Sequence, residues 1–219
     1  MPTLRTVMDR APRYGLLLAC ILVELMFSPL FATSAIGVHL GRVLGGGILV
    51  AAFLAVGIGR VGVALFALAV ALQLAAMLWG MPGLGPAVSL SRLPFLCYVL
   101  GLIVWRVLRD RDVTWDTVAG AACAYVVLGI VWGDLYQLVQ YWRPGSFEIP
   151  DSFLLGPERD PRAAIMYFSF VTLTTVGYGV IHPNDPGVGG LCMAEAICGQ
   201  LYLAIMISRM VGLHIATRS

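Results

Sequence analysis

Long apolar runs separated by short polar breaks dominate the chain, and six of these runs approach the length of a membrane-spanning helix. A bilayer core of about 30 Å needs roughly 20 consecutive apolar residues in helical form. The six runs cover residues 15–33, 35–59, 61–80, 93–108, 116–137 and 188–213. A seventh run, 163–174, is too short to cross. The pattern predicts an all-α membrane protein with six transmembrane helices and one half-length helix that enters the membrane without spanning it.

The composition supports a membrane protein and excludes several other classes. Apolar residues make up 59% of the 219 positions and charged residues only 12%, too few for the surface of a soluble domain. The net charge of +2 gives no basis for nucleic-acid binding. No nucleophile–base set, metal-ligand spacing or phosphate loop stands out, so we expect no enzyme. The five cysteines all lie in apolar runs and are interpreted as packing residues.

The arginines predict the orientation of the spans. With the N-terminus inside, nine arginines fall on the cytoplasmic side and five outside, so both termini are expected in the cytoplasm. The expected location is the inner (plasma) membrane of the cell. The polar loops 81–92 and 137–162, with Arg92 in the first, then lie outside. The first run could instead be a secretory signal peptide, which leaves the other crossings unchanged. No soluble domain is expected in these residues.

One short motif follows the half-length run: Thr174 and then Thr175, Val176, Gly177, Tyr178 and Gly179. A dehydrated cation needs a ring of oxygens, and backbone carbonyls that all point one way can supply it. Such a strand needs alternating left- and right-handed backbone, which glycine allows at every second position. The valine and tyrosine side chains would brace the strand, the Thr175 hydroxyl would add an oxygen, and the preceding helix would aim its negative C-terminal end at the ion.

This motif and its surroundings resemble the two-helix pore module of potassium channels, and the whole chain is similar to small bacterial six-span channels without a cytoplasmic regulatory domain. The resemblance implies a homotetramer that conducts K+ passively, with K+ ions held by residues 175–179. It also implies a four-helix N-terminal membrane domain, 1–112, and a pore domain, 113–219. The pore domain would contain an outer helix 116–137, a pore helix 163–174, the filter and an inner helix 188–213. Expected partners are further copies of the chain and membrane lipids, but no soluble protein.

Two positions depart from the pattern of that family. Val180 follows the filter where many members have Asp, and Val171 stands in the pore helix where many have Glu. Such carboxyl groups bond behind the filter and influence inactivation. We hypothesise that Glu195, in the sixth run, replaces them by bonding to the pore helix or the filter backbone, because a buried carboxylate in a membrane marks a functional candidate. The alternative is a structural hydrogen-bonding residue with no role toward ions.

The sequence offers little that could sense voltage. A sensor needs several arginines within the fourth span, yet 93–104 has none, and Arg106 and Arg109 suit a cytoplasmic anchor. We therefore predict a channel that is not classically voltage-gated and depends only weakly on voltage. In the sixth run, Gly199 is either a hinge or a close-packing position. Leu203, Ile207 and Val211 recur at helical spacing, either as an apolar constriction or as ordinary packing.

Several polar residues remain to be placed. Counting from a turn near residues 33–34 predicts that Glu24 and Arg42 lie at similar depth and pair, unless Arg42 snorkels outward and Glu24 is protonated. Asp134, among aromatic residues, is interpreted as an ordinary interfacial residue, the alternative being that it binds the pore turret or attracts cations. His182, Asn184 and Asp185 are expected to rim the outer mouth.

Two other functions compete with passive conduction. A non-conducting scaffold or regulatory subunit could keep the same fold and assemble with other chains. A subunit of a potassium transporter is a third interpretation, but a single intact copy of the motif favours a tetrameric channel over four repeats within one chain.

Overall fold

The computed structural model describes residues 13–31, 35–56, 59–79, 85–110, 113–154 and 160–216. These residues form seven α-helices and two short strands. The helices are α1 Arg13–Phe31, α2 Ala35–Val56, α3 Arg60–Trp79, α4 Gly85–Arg109, α5 Trp115–Trp142, α6 Arg162–Leu173 and α7 Pro186–Ala216. Strand β1, Phe147–Glu148, follows α5, and β2, His182–Pro183, precedes α7, with a single 3₁₀ turn at Asp151–Phe153.

A helix occupies each predicted run, but the boundaries differ most at α4. This helix begins at Gly85 instead of residue 93, because Pro86 falls in the first turn, where proline is tolerated. A second proline, Pro94, is accommodated inside the helix. Arg92, which we expected in an outer loop, therefore lies within α4, and that prediction is wrong.

The length and composition of the helices agree with an all-α membrane protein. Among the described residues, three segments are long and apolar enough to cross a membrane: Pro86–Arg109, Trp115–Trp142 and Pro186–Leu213. The helices α1, α2 and α3 have 19, 22 and 20 residues, but the apolar segments described within them are shorter than the three candidate spans. Six crossings therefore remain a prediction. Helix α6, with 12 residues, rises about 18 Å and cannot span the bilayer core.

Helix α5 lies at the centre of the fold and contacts α1, α4, α6 and α7. Its start is fixed by Thr114, whose hydroxyl accepts a hydrogen bond from the Thr117 backbone while the Thr117 hydroxyl accepts one from Thr114. One apolar core joins it to the N-terminal helices through residues such as Leu17, Phe95 and Ala124. A second core packs its C-terminal end against α6 and β1. Helix α5 thus connects the N-terminal helices to the segment that carries the motif.

The five cysteines are all free thiols. Cys123 is fully buried in the core on α5, which suits a packing role, whereas Cys20, Cys97 and Cys198 are exposed in the single chain.

Candidate functional site

The half-length helix α6 delivers the chain directly into the motif. After its last residue, the Thr174 backbone N–H donates to the Phe170 carbonyl at 3.1 Å, and its hydroxyl donates to the same oxygen at 2.6 Å. The Val176 N–H then donates to the Val171 carbonyl at 3.0 Å. These bonds use carbonyls of the last turn, which have no partner within the helix, and so turn the chain sharply out of α6.

The backbone of the motif alternates in handedness. Thr175, Gly177 and Gly179 have φ angles of 58°, 63° and 71°, whereas Val176 and Tyr178 between them have negative φ. This is the alternation that a row of carbonyls facing one side requires, and it matches the conformation expected at both glycines. Thr175 joins the alternation although a left-handed conformation costs an L-residue about 1–2 kcal/mol. Strain of this kind at a β-branched residue is typical of functional segments.

The side chains of the motif point to its neighbours. The Tyr178 ring lies parallel to the Tyr167 ring of α6, with centroids 6.5 Å apart and planes 5° apart. The Gln200 side-chain amide of α7 donates to the Thr175 hydroxyl at 3.4 Å. Val176 and Tyr178 are more than half exposed in the single chain. Their apolar surface at this position is available to other copies of the chain.

A buried hydrogen-bond network lies behind the motif. The Tyr136 hydroxyl of α5 donates to Glu195 Oε2 of α7 at 2.6 Å, and the Ser169 hydroxyl of α6 bonds Glu195 Oε1 at 2.6 Å. All three side chains have no exposed surface. The predicted bond from Glu195 to the pore helix is therefore confirmed, and the network reaches α5 as well. Its role in ion permeation stays a hypothesis.

The packing of glycines brings the same helices into direct contact. A Cβ at Gly129 or Gly133 of α5 would lie 2.6 Å from the Phe170 or Met166 side chain of α6. A Cβ at Gly199 of α7 would lie 2.5 Å from the Leu173 carbonyl oxygen at the end of α6. Of the two interpretations of Gly199, the structure favours close packing.

The segment after the motif is tied to the loop that follows α5. Strands β1 and β2 pair antiparallel, which places His182 Nε2 3.0 Å from Glu148 Oε2. The Asn184 N–H donates to the Ser146 carbonyl at 2.9 Å. Asp185 Oδ1 accepts hydrogen bonds from the Gly187 and Val188 N–H groups, at 2.6 and 3.4 Å, and so caps the start of α7. The residues that follow the motif and the start of α7 therefore hold each other in place.

Asp134 is not an interfacial residue, and that interpretation is wrong. Its side chain is fully buried and makes two bonds with Arg92 of α4, from Nε to Oδ2 at 2.8 Å and from Nη2 to Oδ1 at 2.5 Å. A carboxylate this far from water needs a cation with matched geometry, and the planar guanidinium provides one. Sequence reasoning missed Arg92 because it was assigned to a loop.

The remaining predictions are only partly placed. The Arg42 side chain lies outside the described residues, so its pairing with Glu24 stays a prediction. Glu24 Oε2 is buried without a hydrogen-bond partner among the described residues and lies within electrostatic range of Arg92. On α7, Leu203 is partly buried, whereas Ile207 and Val211 are exposed in the single chain, where a constriction or a helix partner could use them.

The candidate voltage-related arginines lie at the last turn of α4, as expected. Arg106 and Arg109 both belong to this turn, and the Arg109 guanidinium lies over the Trp105 ring, 5.1 Å from its centroid. Neither lies within the central part of the helix. The third arginine of α4, Arg92, is held by Asp134 near the opposite end.

Comparisons with known proteins agree with the geometry of this region. A family model described as "Ion channel" matches residues 155–214, which include α6, the motif and most of α7. A curated relative, the inward rectifier potassium channel Kirbac3.1 of Paramagnetospirillum magnetotacticum, is 33% identical over 87 residues. That alignment covers 40% of this chain and 22% of the relative, so the chain spans about a fifth of its length. No solved structure matches the chain. The matched part is similar to the pore region of ion channels, and its apolar helices belong in a membrane.

Proposed function

We propose that this protein is a potassium-selective channel that conducts K+ passively through a homotetrameric pore. The observation that carries the proposal is the left-handed backbone at Thr175, Gly177 and Gly179, directly after a helix too short to cross the membrane. The ion-channel family match over the same residues and the similarity to a potassium channel support it.

The proposed chemistry uses carbonyls that all face one side, which the alternating backbone of the motif allows. Four copies of 175–179 around one axis would offer rings of peptide oxygens that replace the hydration shell of K+. The Thr175 hydroxyl would add an oxygen at the inner end. Helix α6 ends at Leu173 and points its partial negative charge toward the entrance of the motif, which favours a cation there. The buried bonds of Glu195 would keep α6 at a fixed height relative to α5 and α7.

The apolar surface of the single chain supports an assembly within a membrane. On α7, Met193, Ile197, Leu201 and Ile205 recur every four residues and are each more than half exposed. Such a stripe requires an apolar neighbour, either another copy or lipid. We place the tetramer in the inner (plasma) membrane with both termini in the cytoplasm, following the distribution of arginines. The four N-terminal helices would surround the pore module of 113–219.

Ion flux from purified protein in liposomes tests this function. A K+ gradient should drive flux that Ba2+ blocks and that greatly exceeds the flux driven by an equal Na+ gradient. Equal K+ and Na+ flux would reject selectivity. No flux from a tetramer at any voltage, pH or lipid composition would favour the scaffold or regulatory subunit, and a monomeric particle would reject the pore itself.

A further inference from the structure

The buried pair Arg92–Asp134 joins the N-terminal helices to the pore module at the level of the motif's supporting network. Both oxygens of Asp134 are bonded by one guanidinium, and the Arg92 side chain is only 20% exposed. Two desolvated charges are weak evidence for stability, since apolar residues of similar volume often do as well. Ionisable groups kept within a membrane segment are functional candidates instead.

The two faces of α5 carry different contacts at this level. At 100° per residue, Tyr136 and Gly129 lie about 160° and 140° around the helix from Asp134. Asp134 therefore faces α4, while the opposite face carries the Tyr136 bond to Glu195 and the Gly129 contact with the Phe170 ring. Helix α5 is held between α4 and α6 within two turns of one helix.

The contacts on the opposite face are too close to absorb a displacement. The Ser169 hydroxyl of α6 donates to the Gly129 carbonyl at 2.8 Å and bonds Glu195 at 2.6 Å, and no Cβ separates Gly129 from the Phe170 ring. A shift or rotation of α5 at Asp134 would therefore move α6, and with it the start of the motif at Thr175. Packed interiors transmit such strain instead of damping it.

We propose that the Arg92–Asp134 pair is a positioning element through which the N-terminal helices fix the geometry of the ion-selective segment. The inference rests on the proposed potassium conduction. It assigns the N-terminal helices a role at the outer half of the pore, where α4 holds the supporting network of the motif in register. Arg92 and Asp134 themselves do not contact the ion.

Variants of the pair in the full chain, reconstituted in liposomes, test the proposal. Arg92→Gln and Asp134→Asn each leave one buried charge without its hydrogen-bonded partner, whereas the double variant R92M/D134L removes both charges of the pair and keeps apolar volume. The charge exchange R92D/D134R keeps the pair in reverse. Arg109→Gln, which removes a charge from the last turn of the same helix, where the guanidinium lies over the Trp105 ring, is the matched control. K+ and Na+ permeability and the thermal midpoint of the tetramer are measured for each.

We expect the K+/Na+ permeability ratio to fall about tenfold in both single variants, the change that 1.4 kcal/mol produces. In R92M/D134L the thermal midpoint recovers but the permeability ratio stays low, because packing is restored and the directed bond is not. R92D/D134R recovers part of the ratio, and Arg109→Gln matches the wild type.

Three results would overturn the proposal. The first is a wild-type K+/Na+ permeability ratio in R92M/D134L, and the second is single variants that lose thermal stability but keep the wild-type ratio. The third is failure of every pair variant to assemble, which would make the pair a folding element. The wild-type arm separates this inference from the proposed function. A wild-type protein without K+-selective flux rejects the function, whereas a selective wild type with equally selective variants rejects only the role of the pair.

Discussion

Glu195 of α7 and Ser169 of α6 are joined by a 2.6 Å hydrogen bond between two side chains that have no exposed surface. The Ser169 hydroxyl has one hydrogen, and it also lies 2.8 Å from the Gly129 carbonyl, which can only accept. Both contacts of Ser169 are satisfied when the residue at 195 donates to the serine oxygen.

Glu195→Gln and Glu195→Leu should therefore differ. The glutamine amide can donate to Ser169 while its oxygen accepts from Tyr136, so the network survives. Leucine leaves the buried Tyr136 hydroxyl without this acceptor, at about 1–3 kcal/mol, while the Ser169 hydroxyl keeps its bond to the Gly129 carbonyl. We expect Glu195→Gln to keep near wild-type tetramer stability and K+ flux, and Glu195→Leu to lower both, measured by thermal unfolding and liposome flux. Equal stability of the two variants would show that the network contributes nothing.

The structure supports some of what the sequence predicted, for reasons that particular residues show. The alternating backbone at Gly177 and Gly179 was predictable because glycine is placed where only a left-handed residue fits. The bond of Glu195 was predictable because a membrane carboxylate must find a donor on a neighbouring helix. The left-handed conformation of Thr175 was not, since its own preference opposes it and only the surrounding fold holds it.

The pair Arg92–Asp134 was within reach of the same counting that we applied to Glu24 and Arg42. Arg92 precedes the end of α4 at Arg109 by about 26 Å and Asp134 follows the start of α5 at Trp115 by about 29 Å, at 1.5 Å per residue. Antiparallel neighbours place both at one depth. This was missed because residues 81–92, which include prolines, were interpreted as a loop, although proline fits the first turn of a helix.

The glycines of the motif can be tested by alanine. No atom of the same chain lies within 4 Å of a Cβ added at Gly177 or Gly179. Within one chain, an alanine at either position therefore meets no steric clash and is disfavoured by the positive φ. That conformation costs about 1–2 kcal/mol in each subunit. Gly177→Ala and Gly179→Ala should abolish K+ flux in liposomes. Gly190→Ala on α7, which has equal space and no positive φ, is the control and should conduct normally.

Wild-type K+ flux in Gly177→Ala would contradict the assignment of residues 175–179 to the conduction path. The same variant must run as a tetramer in size-exclusion chromatography, so that lost flux is not lost assembly.

A substitution at Gly199 distinguishes a packing role from a hinge role. An alanine Cβ would lie 2.5 Å from the Leu173 carbonyl, which is backbone and cannot turn aside. Overpacking of this kind costs about 1–3 kcal/mol. Gly199→Ala should lower the thermal midpoint of the tetramer, while Gly212→Ala on the same helix, where a Cβ meets nothing, should not. A hinge would show the reverse result: an unchanged midpoint with an altered open probability in single-channel recordings.

Asp185 caps the inner helix directly after the outer rim. It precedes Pro186, the first residue of α7, and accepts from the next two N–H groups. Loss of such a cap costs about 0.5–2 kcal/mol. Asp185→Ala should destabilise the tetramer by that amount in thermal unfolding, and Asp185→Asn, which can still cap, should restore most of it. If asparagine and alanine are equally destabilising, the Arg143 interaction at 3.4 Å, and not the cap, is what Asp185 provides.

Voltage should have little effect on the open probability. Moving one charge across the membrane contributes about 2.3 kcal/mol per 100 mV, so steep gating needs several mobile charges. Arg106 and Arg109 lie in the last turn of α4, and the Arg109 guanidinium lies over the Trp105 ring. The guanidinium of Arg92 is bonded to both carboxylate oxygens of Asp134. We expect a shallow conductance–voltage relation that the double variant R106Q/R109Q leaves unchanged in planar bilayers. A steep relation that flattens when these two arginines are neutralised would show instead that the end of α4 moves through the field.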